Sequence, residues 1–538
     1  MGIPSYFSYI IKNYSNIILN QKQLSQDDIR FCNLLMDCNS IIYDEFRKLE
    51  NEFIDNEYDT SYIENKLINN VIKSIGEYIK KISPSQLVYI AFDGVAPFAK
   101  MEQQRTRRHK GSILLKISNT INKTDKPAIW STSNITPGTL FMNNLSSKIK
   151  KAFTGLEGHF NVKKIIVSGS TDNGEGEHKM FKYLRTPANK VSGNTLIYGL
   201  DSDLIMLSLF HCKPFEHFFI YRETPEFGKK ILNNDNMKGE YLFLNIHSLS
   251  KAILSEMNCD NNDYHRLYDY IFMCFLLGND FLPHFPSLNL RRDGIDILLE
   301  TYKSILGSFS QRSFINKKLE IQWRWVGVFF AELAKNERNR FTNEYTNRDK
   351  MAKRKWNLSD AENKDFTIQN APVIYRPQEM YIAPDQQFWE HRYYSALFSH
   401  SDKNVKDICM NYMEGLEWVF KYYTCDCPNW KWSYKYNYPP LIKDLCKYFP
   451  KTNTSFFDKD LYNPFSSHLQ LAYVLPLKNR NLLPEHIHEY LLENESNYYV
   501  EEPKYEWAFC RYFWESHPIL PEIPIKTLEK WDALWKDA

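Results

Sequence analysis

Residues 32–37 read Cys-Asn-Leu-Leu-Met-Asp and residues 87–93 read Leu-Val-Tyr-Ile-Ala-Phe-Asp, so each stretch is a short apolar run that ends in an aspartate. Such runs are typical of strands buried in a parallel sheet. Residues 164–167 and 195–200 form two more runs of this kind. We therefore predict strands at Cys32–Met36, Leu87–Phe92, Lys164–Val167 and Thr195–Leu200.

A turn and then a helical pattern follow each predicted strand, and helices are expected over Ile63–Ile82, Glu177–Leu184 and Tyr268–Leu277. This alternation predicts an α/β fold with a mostly parallel sheet and flanking helices over residues 1–310. Residues 371–538 are rich in Tyr and Trp and have helical periodicity, which predicts a mostly helical domain packed on the first. Residues 311–370 are interpreted as a connector. Its charged stretch Asn336–Asp365 is taken for a solvated linker rather than a charged helix.

Seven acidic residues stand at or near the ends of these elements. Three follow the predicted strands directly, a fourth comes two residues after the last of these, two belong to the Gly-rich turn that begins at Gly169, and one lies in the turn after a predicted helix. They are Asp37, Asp93, Glu175, Glu177, Asp201, Asp203 and Asp280. Because the carboxyl ends of parallel strands meet at one edge of a sheet, we expect these side chains to converge there.

Carboxylates gathered in this way repel one another, by roughly 4 kcal/mol for a pair about 4 Å apart at an effective dielectric near 20. Divalent cations relieve that repulsion, and hard oxygen ligands select Mg²⁺ or Mn²⁺ over zinc. Two such ions could clamp a phosphodiester. A single aspartate after a strand is explained equally well as a helix N-cap, and Asp201 could be one. N-capping does not explain all seven acids together. His178 is expected on the helix surface or behind the ligands.

A basic helix is predicted directly after Asp93. Pro97 suits its first turn, and four polar residues follow at spacing i, i+4, i+7 and i+8, on one helical face. They are Lys100, Gln104, Arg107 and Arg108. Arginine binds phosphate oxygens bidentately, so this face could receive a terminal phosphate. The alternative is a solvated basic face, but its position beside a metal-site aspartate favours phosphate binding.

The composition limits the class of protein. The net charge of +2 excludes a globally basic nucleic-acid binder, so any polyanion site must be a local cleft. Ten cysteines include one C-x-C pair, Cys425 and Cys427, without the second pair that a zinc site needs. The N-terminus has neither a signal-peptide nor a myristoylation pattern, and no apolar run reaches membrane-spanning length. We expect no membrane association.

These segments together resemble the Xrn family of 5′→3′ exoribonucleases. The motifs that carry the resemblance follow one another in family order along most of the chain. They are the opening Met1–Phe7, the acidic motif Met36–Ile42, the block Phe92–Arg108, Ile135–Thr139, Gly174–Lys179, Tyr198–Leu207, Gly278–His284, and in the helical part Gly415–Val419, Tyr422-Tyr423, Trp430–Trp432, Tyr438–Leu441 and Val474–Pro476.

The resemblance implies a PIN/flap-nuclease-like sheet and a function. The protein would be a metal-dependent exoribonuclease that degrades single-stranded RNA with a 5′-monophosphate to mononucleotides. The seven acids would hold two Mg²⁺ ions, with Mn²⁺ as a possible substitute, and the polar face of the basic helix would bind the 5′-phosphate. The helical part would narrow the entrance to a single strand.

Three positions depart from the family pattern. Tyr43 stands where the family has a histidine that stacks on terminal bases, and a tyrosine ring can still stack. Phe98 replaces an arginine, so one positive charge is missing beside the basic helix. Asn173 replaces a proline, which would loosen the loop before Glu175. Trp430 or Trp432 is expected to supply the facing ring, and the sequence does not choose between them.

Other expectations concern the setting of the protein. The chain ends soon after the second conserved region, as expected of a minimal, viral member. It would act as a monomer, downstream of decapping enzymes, in the cytoplasm, with the nucleus or a virion as alternatives. Two other functions stay open: a structure-specific 5′ nuclease acting on DNA, and a non-catalytic RNA-binding scaffold. The first should carry a Gly-rich hairpin that clamps a duplex, and the second should have lost its acids.

Overall fold

The computed structural model describes residues 3, 5–55, 58–122, 130–223, 241–353, 370–398, 404–457 and 462–536. Its strands are β1 (Ile18–Leu19), β2 (Asn33–Asp37), β3 (Leu87–Ala91), β4 (Lys164–Ser168), β5 (Thr195–Tyr198), β6 (Phe218–Glu223), β7 (Tyr241–Asn245), β8 (Tyr505–Glu506) and β9 (His517–Pro518). The first seven form one sheet in the order β1-β7-β6-β5-β2-β3-β4, and β8 pairs with β9.

The sheet is mostly parallel. Strands β6, β5, β2, β3 and β4 run in one direction, β7 is antiparallel to β6, and β1 is antiparallel to β7. The register places Asp37 beside Ala91 and Met36 beside Tyr198, so the carboxyl ends of the central strands are level. The predicted fold class is therefore confirmed, and so are the four predicted strands. Sequence reasoning missed β1, β6 and β7.

Helices cover both faces of the sheet and build the rest of the molecule. The longer ones are Tyr6–Asn13, Asn39–Asp55, Thr60–Ile82, Phe98–Asn122, Leu140–Phe153, Gly176–Arg185, Asp203–His211, Ile246–Glu256, Arg266–Cys274, Gly294–Tyr302, Trp323–Ala334, Glu337–Ala352, Trp389–Leu397, Val405–Thr424, Ser467–Val474, Glu485–Asn494 and Ile525–Trp535. Short helices are Gln21–Gln26, Glu157–Phe160, Pro377–Ile382 and Ile442–Leu445. The predicted helix Tyr268–Leu277 is found as Arg266–Cys274 followed by a 3-10 turn.

Alternation along the strands divides the core into two layers. Leu34 and Met36 of β2 pack into one apolar cluster with the helices Asn39–Asp55, Thr60–Ile82 and Leu140–Phe153. Leu35 faces the opposite cluster, which continues into the helix Val405–Thr424. Because strand side chains alternate between the two faces, one sheet serves both the α/β half and the helical half.

The helix Glu337–Ala352 corrects the prediction of a solvated linker. Arg348 is buried and pairs with the fully buried Glu379 at 2.9 Å. Glu337 accepts the backbone N–H groups of Ile442 and Lys443 at 2.7 and 3.1 Å. Two charges on this segment, Glu337 and Arg348, therefore serve internal contacts. Residues 354–365 of the predicted linker lie outside the described residues, and the domain boundaries stay predictions.

Phe98 begins the basic helix Phe98–Asn122 and anchors it to the helical half. Its ring is buried, 5.2 Å from the ring of Tyr473 and 6.2 Å from that of Phe465. Arg105, on the same helix, donates to the carbonyls of Tyr498 and Pro521 at 3.2 and 3.1 Å. Position 98 therefore belongs to an apolar cluster that joins the two halves.

Phe98→Ala should lower the free energy of unfolding by about 3 kcal/mol or more, because it leaves a cavity where an aromatic ring was buried. Denaturant unfolding followed by tryptophan fluorescence measures the change. Leu140→Ala is the matched control, since Leu140 is 81% exposed, and it should change stability by no more than about 0.5 kcal/mol. Equal losses in both variants would contradict the anchoring role.

Candidate active site

The carboxyl edge of the sheet brings Asp37 and Asp93 together. Asn39, in the first turn of its helix, donates its side-chain amide to Asp93 and accepts the Asp93 backbone N–H at 3.2 Å. The backbone N–H of Gly176 donates to Asp93 Oδ1 at 2.8 Å. A Cβ on Gly176 would lie 2.8 Å from Asp37 Oδ1, so only glycine lets this backbone approach the two carboxylates.

The loop after β4 delivers Glu175 and Glu177 to the same edge. Gly94 and Gly174 hold it in place, because Gly94 N–H donates to the Gly174 carbonyl at 2.9 Å and Gly174 N–H donates to the Val95 carbonyl at 2.7 Å. Gly174 has φ +103°, a conformation that favours glycine. These bonds fix the loop directly beside the exposed Asn173.

Lys179 fastens the other end of this loop to the sheet. Its buried ammonium donates to the carbonyls of Phe92 and Gly169 at 2.8 and 2.7 Å. Phe92 follows β3 and Gly169 begins the loop. The acids of the loop are therefore held against the strand that carries Asp93.

Lys100 lies inside the acidic cluster. Its ammonium pairs with Glu175 and with Asp280, the latter at 2.7 Å. Although burial lowers the pKa of an amine, the carboxylates of Asp280 and Glu175 raise the pKa of Lys100 well above its ordinary value. Burial by itself would raise the pKa of Asp280, but Lys100 holds it well below its usual range. One cation thus ties the basic helix to the loop that carries Asp280.

The remaining acids repel one another. Burial raises the pKa of Asp37 well above its ordinary value, and the charges of Asp93 and Asp201 add to the rise. Burial also raises the pKa of Glu177, with Asp203 as the largest neighbouring charge. Burial likewise raises the pKa of Asp203, to about 7. Lys100 alone does not neutralise the cluster.

The donor set fits divalent metal ions. Within the described residues, Asp37 Oδ1, Glu177 Oε2 and Asp203 Oδ1 are buried and make no hydrogen bond. A buried carboxylate oxygen without a partner is costly, and a cation removes the cost. Oxygen ligands of this kind suit Mg²⁺ or Mn²⁺.

His178 is buried, which corrects the expectation that it could lie on the helix surface. Its ring stacks on that of Tyr422 at 3.7 Å, and the Tyr422 hydroxyl donates to Glu175 Oε1 at 2.9 Å. Ligand atoms of Glu175, Glu177 and His178 lie within 4.8 Å of one another. Burial lowers the pKa of His178 well below its ordinary value, so the imidazole is neutral beside the acids.

The four polar residues of the basic helix have different surroundings. Lys100 belongs to the acidic cluster, and Gln104 is buried beside Gln470, whose amide donates to it at 3.3 Å. Arg108 donates to the hydroxyl of Thr136, and burial lowers the pKa of Arg108 to about 10. Arg107 is exposed. Solvent exposure therefore differs along this face, from the buried Lys100 to the exposed Arg107.

A cavity of about 1380 Å³ opens onto the cluster. Its lining includes Asp201 and Asp280 on the acidic side and Trp432 on the helical side. Trp432 is stacked on Trp418 at 5.4 Å and donates to Glu414 at 3.3 Å. Trp430 is half-buried, and its carbonyl accepts the Phe98 N–H at 2.8 Å. Tyr43 is half-buried beside the Arg108 charge.

Two family models match this chain. The family model described as "XRN 5'-3' exonuclease N-terminus" matches residues 1–224, and the model described as "Xrn1 helical domain" matches residues 261–385 and 382–530. The chain belongs to the Xrn family. The two matches divide it much as the sheet and the helical half do.

Family relatives cover nearly all of this chain. It is 25% identical to 5'-3' exoribonuclease 1 of Saccharomyces cerevisiae and 26% identical to that of Homo sapiens, over 98% of the chain in both cases. It is 25% identical to the 5'-3' exoribonuclease 2 homolog of Drosophila melanogaster, again over 98% of the chain. It spans 43%, 34% and 70% of these three relatives.

Some site residues escaped sequence reasoning. Tyr422 lies in a motif noted above but received no role, and it now contacts both Glu175 and His178. Gln470 accepts the Ala96 N–H at 2.8 Å and orients Gln104, and no local pattern indicates this.

In the part of the chain that the structure describes, no helix is long and apolar enough to cross a membrane.

Mg²⁺ should raise the melting temperature of the protein, because ions that bind the folded acidic cluster stabilise it, by about 2.7 kcal/mol at one hundred times the dissociation constant. Asp203→Asn should raise the melting temperature without metal, since it removes repulsion, and should reduce the Mg²⁺-dependent rise. Calorimetry with Mg²⁺ and with EDTA measures both. The exposed Glu300→Gln should behave as wild type. A melting temperature indifferent to millimolar Mg²⁺ would refute the metal site.

Proposed function

We propose that this protein is a divalent-cation-dependent 5′→3′ exoribonuclease that degrades single-stranded RNA with a 5′-monophosphate and releases mononucleotides. The main support is the gathering of acids at one sheet edge, with Lys100 of the basic helix paired to two of them, Glu175 and Asp280. Membership of the Xrn family supports the same activity, since the relatives are named 5'-3' exoribonucleases.

Two Mg²⁺ ions, or Mn²⁺ in their place, would be held by Asp37, Asp93, Glu175, Glu177, Asp201, Asp203 and Asp280. When bound, such ions would supply positive charge to the reacting phosphate and would lower the pKa of water. The chain itself orients the ligands: Asn39 and Gly176 fix Asp93, and Tyr422 fixes Glu175. Orientation of this kind leaves little reorganisation for the reaction step.

Recognition of the 5′ end falls to the basic helix. Gln104, Arg107 and Arg108 would bind the terminal phosphate, and Lys100 would face it from within the cluster. A 5′-monophosphate carries more charge than an internal linkage, so cations at this place favour it. Trp432 is the better candidate of the two tryptophans for base stacking, because it lines the cavity and Trp418 supports it. The resemblance implies that Tyr43 would supply a second ring. Tyr43 lies beside Arg108 and is not among the described residues that line this cavity.

Two alternatives were open from the sequence. A non-catalytic scaffold is disfavoured because buried, unpartnered carboxylates are costly to keep without a metal role. Nothing in the described residues favours a DNA 5′ nuclease, and substrate competition decides between the nucleic acids. Action as a monomer, downstream of decapping enzymes and in the cytoplasm, remains part of the proposal.

A digest of one RNA with three 5′ ends tests the activity. With Mg²⁺, the 5′-monophosphate RNA should be converted to nucleoside monophosphates. The hydroxyl form should react at least about tenfold more slowly, the factor of one lost charge-assisted contact. The triphosphate form should also react more slowly, because the resemblance implies a pocket too narrow for more than one terminal phosphate. EDTA should stop the reaction. Asp201→Asn should bind RNA but not cleave it. Cleavage in EDTA, or faster loss of a matched 5′-phosphorylated DNA, would contradict the proposal.

Arg107→Ala separates phosphate recognition from general charge. It should reduce kcat/KM for 5′-monophosphate RNA by about tenfold and leave 5′-hydroxyl RNA nearly unchanged, since only the first presents a terminal phosphate. Lys116→Ala is the matched control on the same helix, where Lys116 is exposed and paired with Glu502. Equal losses of kcat/KM on both RNAs would show that this face is a general basic surface and does not recognise the terminal phosphate.

A further inference from the structure

Arg222 lies at the acidic edge of the sheet, and the proposed reaction has not used it. It belongs to β6, one residue beyond Tyr221, which pairs with Tyr198 of β5. Asp201 follows β5 three residues after Tyr198, so the two strands deliver a cation and an anion to neighbouring places. Both residues line the same cavity.

The side chain of Arg222 contacts an aromatic ring, but in the described part of the chain one of its nitrogen atoms makes no hydrogen bond. Its guanidinium lies 3.7 Å from the centroid of the Phe7 ring, a distance typical of a cation–π contact. Among the described residues, its buried Nε makes no hydrogen bond. Burial lowers the pKa of Arg222 to about 10, and the Asp201 charge opposes that shift. A guanidinium in contact with a ring still has N–H donors available for a phosphate, and Arg222 lines the cavity.

The place of Arg222 in the sheet sets its distance from the basic helix. The strand order β6-β5-β2-β3 puts Arg222 on one side of the acids and the basic helix, which follows β3, on the other. Three strand intervals separate them, about 14 Å. A strand bound with its 5′-phosphate at the basic helix and its first linkage at the acids would continue toward Arg222.

We propose that Arg222 binds the phosphodiester on the 3′ side of the scissile linkage. This inference rests on the proposed function and adds a second phosphate site to it. The guanidinium matches the two free oxygens of a phosphodiester, and Phe7 keeps it in place. Contact on both sides of the scissile linkage holds the reacting phosphate at the acids, so Arg222 acts as a positioning residue.

Two 5′-monophosphate RNAs test the contact. One carries a neutral methylphosphonate at the second linkage, and the other carries the ordinary phosphodiester there. The second nucleotide is 2′-O-methylated in both, because a free 2′-hydroxyl would attack the neutral linkage. Single-turnover release of the first nucleotide is measured with wild type, Arg222→Gln and Arg222→Lys. Arg324→Gln, at an exposed arginine, is the control.

On the ordinary RNA, Arg222→Gln should lose about tenfold or more, the effect of one charge-assisted contact. On the neutral RNA, wild type should lose a similar factor and Arg222→Gln nothing further, because one contact cannot be lost twice. Arg222→Lys should retain part of the rate. Losses that multiply would overturn the proposal and assign Arg222 to neutralising Asp201 or holding Phe7.

If Arg222→Gln fails to fold, the wild-type protein alone tests whether the second linkage is contacted. Moving the methylphosphonate from the second to the fifth linkage should restore the rate, and equal rates at the two positions would overturn the contact. Fluorescence anisotropy with the same RNAs reports binding without turnover. Absence of cleavage by wild type would refute the proposed function, whereas cleavage that ignores the neutral linkage would refute only the role of Arg222.

Discussion

Mutual repulsion among buried carboxylates is the constraint on which the rest of this structure depends. The sheet can gather acids from several strands only if enough positive charge lies among them, and among the described residues the buried ammonium of Lys100 lies between Glu175 and Asp280. Its ammonium neutralises one side of the cluster and leaves Asp37, Glu177 and Asp203 with unpartnered oxygens. That remainder is what makes the edge a receptor for divalent ions rather than an internal salt bridge.

The helical half completes the site from outside the sheet. Tyr422 reaches Glu175, Gln470 holds both the Ala96 backbone and Gln104, and the Trp430 carbonyl accepts the first N–H of the basic helix. These contacts join residues far apart in sequence, so the position of the basic helix depends on both halves. A chain cut between the halves would lose that support even if its sheet remained folded.

Features that depend on local sequence could be predicted, and features that depend on distant pairing could not. A strand followed by Asp37 or Asp93 is visible in the sequence, because parallel strands end at a common edge. Strand β7 pairs with β6, which precedes it by residues 224–240, and no local sequence pattern indicates this pairing. The polar composition of Glu337–Ala352 suggested solvent, yet Arg348 is buried because Glu379, contributed by a later helix, neutralises it. Charge patterns alone cannot reveal a partner that only folding brings near.

Phe98 shows how a change at one position can alter the balance between the two halves. Where the sequence resemblance led us to expect an arginine, this chain places the ring of Phe98 among Phe465 and Tyr473, so the position contributes apolar packing between the halves and no charge. The cost in phosphate attraction falls on the same helix that carries Arg107 and Arg108. Under the proposed function, Arg222 at the opposite end of the acidic edge therefore gains importance, because fewer cations on the basic helix hold a polyanion in register.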